Sequence, residues 1–351
     1  MHLHVNKKTF FMVIVIVLIV ISICCYKRIS DNSKKNMSDT LEVKETTEVL
    51  GYIEHGPINP NISKDGELLS YEYNGGEFDL EYYMRTSGSA SDIGFMVFIN
   101  GEPLKFRLDN TKEYKYFNYM KVSKETEQYR FSLFFVPPDG NQNSVHNLDI
   151  VSIYNPLFIP DMKEIMSFTI NHSALASSYK LHYKTGIRGN SKVQNLDNMY
   201  NSVDISNIKL TTEEITHGTN VEDFGLADEN NSKDIISNTS RHAIYYNNQI
   251  IYNYLDIKED ILHITYKIVG FEGAKYDTTF FINHKPIEYD SVISIESTLE
   301  DGLVSVIDAY IDVSQLELPS LFYLISIPVN ADEYPEAGIG IYKSPTILLD
   351  K

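Results

Sequence analysis

Four oxygen-bearing side chains alternate along one polar stretch of the sequence: Asp228, Asn230, Ser232 and Asp234. Carboxylate, amide and hydroxyl oxygens at this spacing can converge on one Ca²⁺, which prefers oxygen ligands. The stretch departs from the EF-hand loop, because Lys233 stands where that loop has glycine and Thr239 where it has a bidentate Glu. The stretch is therefore a calcium candidate, and a polar loop without metal is the favoured alternative.

Adjacent acidic residues are a second candidate for chemistry, since two carboxylates held a few ångström apart in a cleft can hydrolyse a glycosidic bond. Six such pairs occur: Glu213-Glu214, Glu222-Asp223, Asp228-Glu229, Glu259-Asp260, Glu300-Asp301 and Asp332-Glu333. In a chain with 48 Asp and Glu residues, acidic pairs on a solvated surface are the favoured interpretation.

Motifs for other enzyme classes are absent from the sequence. It contains no H-E-x-x-H zinc motif, nucleophile elbow, P-loop or dinucleotide glycine fingerprint. His172 and His182 lie ten residues apart and are expected at the surface rather than as metal ligands. The adjacent pair Cys24 and Cys25 contains both cysteines, which excludes a disulfide scaffold. No catalytic or cofactor-binding residue is predicted.

Charge and aromatic content limit the partners. The net charge is −18, which excludes nucleic-acid binding through a basic surface. Trp is absent and Tyr counts 25. Core packing with the hydroxyl at the rim explains most tyrosines, and a partner-binding face is the alternative for these Tyr-rich stretches: Tyr71, Tyr73, Tyr82, Tyr83, Tyr114, Tyr116, Tyr119, Tyr245, Tyr246, Tyr252 and Tyr254.

Residues 9–26 carry no charge and are flanked by lysine and arginine. As a helix they would span about 27 Å, close to a bilayer's hydrocarbon thickness. No small-residue cleavage site follows, so an uncleaved transmembrane signal anchor is predicted. Lipidation of Cys24 or Cys25 is the alternative. Residues 1–8 would form a short cytoplasmic tail and residues 27–50 a polar tether. The protein would then be single-pass in the plasma membrane, with its C-terminal domains extracytoplasmic.

The sequence contains an internal repeat. Phe98–Phe106 and Phe281–Tyr289 both read F-I-N-x-x-P-aliphatic-x-aromatic. Asn-Gly in the first copy is typical of a type I′ hairpin turn, whereas Asn283-His284 predicts a looser turn in the second copy. Two unrelated β domains are the alternative to a duplication.

Three further blocks support the repeat. Upstream, Leu80, Tyr82 and Met84 align with Leu262, Ile264 and Tyr266. Downstream, residues 131–137 resemble residues 323–328, and residues 153–156 resemble residues 341–345. The order of the four blocks is the same in both copies.

The strand signals are alternation of apolar and polar residues at period two, in residues 77–86 and 261–269, and runs of aromatic and β-branched residues. One sheet alone would expose an apolar face, so each copy is expected to pair two sheets, an arrangement that resembles the immunoglobulin-like sandwich. The predicted fold is all-β with two tandem, internally duplicated sandwiches after the transmembrane helix. Domain 1 is residues 51–203, with core 78–160 and extension 161–203, and domain 2 is residues 204–351, with core 260–350.

These features favour a non-enzymatic, membrane-anchored extracytoplasmic module that binds or assembles with another envelope or membrane protein. Residues 9–26 would contact the membrane, and no nucleic-acid partner is expected. The alternatives are an extracellular cell-wall hydrolase that uses loop carboxylates, and a purely structural surface stalk. The sequence alone does not identify the partner.

Overall fold

A computed structural model describes residues 52–59, 71–109, 111–123, 128–160, 171–187, 201–210, 240–290, 292–334 and 339–351. The predicted tail, transmembrane anchor and tether lie outside the described residues, as does the calcium candidate at Asp228, Asn230, Ser232 and Asp234. The described part of the chain holds no helix of the length and apolar character that a membrane crossing requires.

The first half of the described chain forms ten strands. In chain order they are β1 (Ile53–Pro57), β2 (Tyr71–Tyr73), β3 (Phe78–Thr86), β4 (Asp92–Ile99), β5 (Glu102–Leu104), β6 (Phe106–Leu108), β7 (Asn118–Lys121), β8 (Tyr129–Phe135), β9 (Val145–Tyr154) and β10 (Ala174–Tyr183).

The second half adds twelve strands and one short 3₁₀ helix, Ala331–Glu333. The strands are β11 (Ser202–Lys209), β12 (Arg241–Tyr246), β13 (Gln249–Ile250), β14 (Tyr254–Asp256), β15 (Ile261–Val269), β16 (Lys275–Ile282), β17 (Lys285–Pro286), β18 (Ile295–Thr298), β19 (Leu303–Asp312), β20 (Ser320–Pro328), β21 (Tyr342–Lys343) and β22 (Ile347–Asp350). The prediction of an all-β fold is confirmed.

These strands form four sheets. The first pair is an outer sheet of order β1-β3-β8-β6 and an inner sheet of order β2-β10-β9-β4-β5, with β7 also on β4. The second pair is an inner sheet of order β14-β22-β20-β16-β17, with β18 on β16 and β21 on β20, and an outer sheet of order β11-β19-β15-β12-β13. Each pair encloses its own apolar core.

The two inner sheets also pack against each other, which makes the molecule four layers deep. Met96 and Phe98 of β4 meet Phe281 of β16 and Ile325 of β20 in a third apolar cluster. As a result every residue of β4 and of β20 is buried. A strand buried on both faces loses the alternation of apolar and polar residues, which explains why most residues of these two strands are apolar.

The two sandwiches have the same strand order. Each inner sheet has a central antiparallel pair (β4 with β9, β16 with β20) and a short strand added in parallel at one edge (β2 on β10, β14 on β22). The outer sheets differ at both edges: β6 ends the first whereas β11, from the connection between the halves, ends the second, and β13 adds a strand beyond β12. The domain limits at residues 203 and 204 stay a prediction.

A buried His–Tyr pair fixes how the copies align. His55 on β1 accepts a hydrogen bond at Nδ1 from Tyr82 Oη, 2.7 Å away, and His242 on β12 lies in the same way 2.6 Å from Tyr266 Oη. Tyr82 therefore corresponds to Tyr266, and the predicted match of Tyr82 with Ile264 is wrong by two residues. Apolar alternation repeats every second residue, so it cannot reveal such a slip.

The two downstream blocks of the predicted repeat are also wrong. Residues 131–135 lie in β8 of an outer sheet, whereas residues 323–328 lie in β20 of an inner sheet, where β9 is the counterpart. Residues 153 and 154 end β9, whereas residues 342 and 343 form β21, a short strand added to β20. Aromatic and aliphatic strands of one fold resemble each other in composition wherever both faces are covered.

The hairpin turns of the F-I-N motif adopt one conformation in both copies. Asn100 and Gly101 have φ of 50° and 85°, and Asn283 and His284 have φ of 47° and 64°. Both turns thus have two residues in the left-handed region, as a type I′ turn requires. The prediction of a looser second turn is wrong: His284 accepts a conformation that favours glycine, and its ring is held by contacts described below.

The first turn contacts the opposite sandwich. A Cβ on Gly101 would lie 2.6 Å from Cβ of Asp277 on β16, whereas a Cβ on Gly76, also at positive φ, would meet no atom within 4 Å. Gly101 is therefore required for conformation and for close approach, and Gly76 for conformation alone.

We expect Gly101→Ala to lower the free energy of unfolding by about 1–3 kcal/mol more than Gly76→Ala, because only the first adds overpacking to the cost of the positive φ. Urea unfolding of both variants measures the difference. Equal losses would show that the Gly101 turn does not rest on the second sandwich.

Candidate functional site

The contact between the inner sheets, called the junction here, is formed by eight buried apolar residues: Met96, Phe98, Val151, Ile153, Phe281, Tyr323, Ile325 and Ile327. Phe98 and Phe281 hold the same place in the F-I-N motif, and their rings meet edge to face with centroids 6.5 Å apart. Equivalent residues that face each other across a contact are the mark of an isologous interface. The two copies are thus related as the subunits of a dimer would be.

His284 ties the second turn to the first sandwich. Its Nε2 lies 2.9 Å from the carbonyl oxygen of Pro156, and its Nδ1 lies 3.0 Å from Oη of Tyr323. Since a carbonyl can only accept, Nε2 carries the proton and Nδ1 accepts from the Tyr323 hydroxyl. Burial lowers the pKa of His284 to about 4, so the ring is neutral near pH 7.

Near-parallel rings of the first sandwich lie next to His284. Phe117 stacks on His284 with centroids 4.1 Å apart, and Tyr119 stacks on Phe117 at 6.4 Å. The ring of His172 lies 6.5 Å from His284, with 13° between the planes. These four residues, Tyr119, Phe117, His284 and His172, form an aromatic row from an exposed tyrosine to a buried histidine.

His172 contradicts the expectation of a surface histidine. Only 3% of the residue is exposed, and its Nε2 lies 2.7 Å from the carbonyl oxygen of Phe158. Burial lowers its pKa to about 3. His182, on β10, is partly exposed as expected. A sequence with one histidine in a polar stretch contains no signal that a second sandwich will cover it.

A cavity of about 510 Å³ opens where the aromatic row ends. Residues 171–174 of the first sandwich form one wall, and residues 252–253 and 342–346 of the second form the others. The wall thus combines His172 with Tyr252, Tyr342 and Lys343, and both sandwiches are needed to build it.

Lys343 is the cation in this wall. Its Nζ donates to the carbonyl oxygen of Ser344 and to Oγ1 of Thr346, both at 3.0 Å, and lies 4.7 Å from the centroid of the Tyr323 ring. None of the ion pairs among the described residues includes Lys343. Burial without a carboxylate lowers the pKa of its ammonium to about 7.

Carboxylates gather at the other turn of the junction. Burial, with the neighbouring charges of Glu102 and Glu296, raises the pKa of Asp277 to about 7. Burial also raises the pKa of Glu102. These acids come from three distant parts of the chain, so no adjacent pair in the sequence marks them. Within the described residues no group of three or more histidine, cysteine or acidic side chains is placed to hold a metal ion.

Polar contacts between the halves surround a further buried acid, Asp149. Its pKa is raised to about 6 by burial, against the lowering effect of Ser178 and Lys180. Lys180 forms an ion pair with Asp332 of the second half, and Asn147 Nδ2 donates to the carbonyl oxygen of Val329 at 3.2 Å. These contacts extend the junction beyond its apolar centre.

The acidic pairs predicted from sequence do not converge. Three of them lie outside the described residues: Glu213-Glu214, Glu222-Asp223 and Asp228-Glu229. Glu259-Asp260 and Glu300-Asp301 are exposed beside strand ends, and Asp332-Glu333 lies on the 3₁₀ helix. None of the three described pairs lines the cavity.

Seven of the eleven tyrosines in the Tyr-rich stretches are buried or partly buried. Tyr73 and Tyr82 are buried, and Tyr71, Tyr83, Tyr116, Tyr245 and Tyr246 are partly buried. Four tyrosines of these stretches are exposed: Tyr114, Tyr119, Tyr252 and Tyr254. Tyr119 (45% exposed) begins the aromatic row and Tyr252 (60% exposed) lines the cavity.

Comparisons add only distant structural likenesses. No protein-family model and no curated protein sequence matches the chain. The Escherichia coli chaperone DraB is similar at 8% identity and a TM-score of 0.22, over 85% of this chain and 96% of that one. The chaperone–tip adhesion subunit pre-assembly complex CsuC–CsuE of Acinetobacter baumannii is similar at 9% identity and a TM-score of 0.19, over 86% of this chain and 100% of that one. WR4, a C. elegans MSP family member, is similar at 11% identity and a TM-score of 0.19, over 32% of this chain and 91% of that one. At these TM-scores none of them carries an inference about function.

Because His284 is neutral in the folded protein, we predict that the free energy of unfolding decreases in acid. Its folded pKa of about 4 lies below the ordinary 6.5, so its contribution to stability is complete above pH 6.5 and is lost as the pH falls towards 4. The loss amounts to roughly 3 kcal/mol. His284→Asn, which keeps a residue that tolerates positive φ, should remove this part of the pH dependence in urea unfolding between pH 7.5 and 4. The same slope in parent and variant would contradict the assignment.

Proposed function

We propose that this chain is a non-enzymatic binding and assembly module. Its two immunoglobulin-like sandwiches would be held outside the plasma membrane by a single-pass anchor at residues 9–26. The observation that carries the proposal is the junction, which joins two sandwiches into one unit. Its aromatic row runs from the exposed Tyr119 to His172, which lines the same cavity as the exposed Tyr252.

A joined pair of sandwiches suits a binding role for an energetic reason. Ordering loops or hinging domains on association costs free energy, and a scaffold already fixed by a buried apolar layer avoids much of that cost. Exposed tyrosines on such a scaffold supply contact area with few rotatable bonds and a hydroxyl for hydrogen bonding. Tyr119 and Tyr252 meet this description, because both are exposed, Tyr119 stacked on Phe117 and Tyr252 in the cavity wall.

The charge of the chain favours a protein partner with a basic face. The net charge is −18, and opposite potentials speed encounter and orient the complex. Another envelope or membrane protein that reaches the end of the tether is the proposed partner class.

The wall of the cavity supports a binder over the hydrolase alternative. Glycoside hydrolysis needs two carboxyl groups facing one substrate, and among the described residues no Asp or Glu lines this cavity. A stalk that acts by length alone gives no role to exposed tyrosines beside a cavity.

The proposed topology predicts that protease added to intact cells removes the domain. With residues 9–26 in the membrane and the N-terminus inside, a blot against a C-terminal tag should lose its full-length band without lysis. A cytoplasmic protein serves as the lysis control. Protection of the tag until the membrane is broken would reverse the topology.

The proposed face predicts site-specific crosslinks. With p-benzoylphenylalanine at position 119 or 252, ultraviolet light on intact cells should yield one adduct of the same size from both positions. Tyr52 is the matched control and should yield no adduct. It is 56% exposed and directly precedes β1, which lies in the outer sheet of the first sandwich. Because hot-spot tyrosines contribute 1 kcal/mol or more, Tyr252→Ala should reduce the position-119 adduct about tenfold. Adducts equally strong from position 52, or none from 119 and 252, would exclude this face.

A further inference from the structure

The cavity beside Lys343 has the size and composition of a small-molecule site. Its volume of about 510 Å³ falls within the range of ligand pockets, and it would hold one sugar ring or a dipeptide. The residues of its wall include the polar Asn171, Ser173, Asn253 and Thr346 and the aromatic Tyr252. Amides and hydroxyls recognise a polar ligand, and the exposed ring can cover a flat one.

Lys343 gives the cavity its charge preference. An ammonium group has three N–H donors, and the described residues supply acceptors for two of them, the Ser344 carbonyl and the Thr346 hydroxyl. Both acceptors are neutral, so the charge has no counterion among the described residues. A cation held this way destabilises the fold, whereas an anion in the cavity would offset its desolvation.

Among the described titratable residues that line this cavity or pack against Lys343, Lys343 is the group that carries charge. His172 and His284 are neutral at pH 7 because burial lowers their pKa values to about 3 and about 4. Tyr323, whose ring lies under Nζ, and Tyr342 are neutral because burial raises the pKa of each. A single cation matches one negative charge, whereas phosphate sites commonly use several cations or a bidentate arginine.

We propose that this cavity binds a small carboxylate-bearing ligand, with its carboxylate on the ammonium of Lys343 and its polar body against the amides and hydroxyls of the wall. An acidic sugar and the C-terminal carboxylate of a short peptide both present this chemistry. The cavity shares Tyr252 with the proposed protein-binding face, but ligand binding in it does not require the protein partner.

Isothermal titration of the full chain in detergent tests the proposal with matched acid and neutral probes. N-acetylmuramic acid is compared with N-acetylglucosamine, and N-acetyl-alanyl-alanine with its C-terminal amide. At least one acid should bind, and its neutral partner should bind at least tenfold more weakly. The pair that responds identifies the ligand as a sugar or a peptide. Equal binding of acid and neutral probes, or binding of neither acid, would overturn the proposal.

Variants locate the binding group. Lys343→Met should weaken binding of the acid at least tenfold, and Lys258→Met, at an exposed lysine beside Asp256, should leave it unchanged. Lys343→Met removes a buried charge and should not lower the melting temperature, which checks that the variant folds. Unchanged affinity in Lys343→Met would place the ligand elsewhere.

A proton readout separates a direct role of Lys343 from a structural one. With a pKa of about 7, Lys343 is mostly neutral at pH 8, so pairing with a carboxylate should take up to one proton from the buffer. Titrations in two buffers of different ionisation enthalpy measure this uptake, which Lys343→Arg should abolish because arginine is always protonated. Binding without uptake would contradict the assignment. The crosslink from position 119 should persist in Lys343→Met, so failure here and failure of the proposed function are distinguishable.

Discussion

Each inner sheet has one face on the core of its own sandwich and a second face turned away from that core. Burial of these second faces against each other is the constraint on which the rest of the structure depends. Without it, Met96, Phe98, Phe281 and Ile325 would form an apolar surface in water. Antiparallel sheets commonly leave one face to solvent, and here both inner sheets have that face covered. The two sandwiches therefore behave as one four-layered unit, and the groups at their contact are held by both halves.

The two turns at the junction have the same backbone conformation but carry side chains of different chemistry. Both type I′ turns reach the opposite sandwich from equivalent positions of the F-I-N motif. Gly101 allows Asp277 to approach at the first turn, and at the second turn the ring of His284 fills the corresponding space against Phe117 and Pro156. One turn thus carries an acidic cluster and the other a neutral aromatic row. The two copies therefore differ in residue type at equivalent positions, glycine at 101 and histidine at 284, and the surroundings of the two turns differ accordingly.

Burial at the junction shifts the pKa values of several side chains in the direction that favours their uncharged forms, and removing these groups from water costs free energy. His172 and His284 remain neutral, and Asp277 and Lys343 have pKa values near 7. Desolvation is the first cause in every case, because the facing sheet excludes water. Perturbed groups of this kind concentrate at functional sites, and the cavity beside Lys343 is where such a group meets solvent-accessible space.

The amino-acid sequence alone determined the local structure. Period-two alternation predicted β3 and β15, and the Asn-Gly pair predicted the first turn, because these signals arise within a few residues of backbone. It also indicated the duplication through the F-I-N motif. It could not set the register of Tyr82 against Tyr266, since a shift of two residues keeps every side chain on the same face.

Only the tertiary structure decided the candidate site. Lys343 follows a tyrosine in a two-residue strand and has no local feature that distinguishes it from a surface lysine, and His172 lies in a polar stretch. Glu102, Asp277 and Glu296 are brought together from three separate segments. What makes each of them unusual is the loss of water when one sandwich covers the other, and desolvation depends on what lies opposite a side chain rather than on its neighbours in sequence.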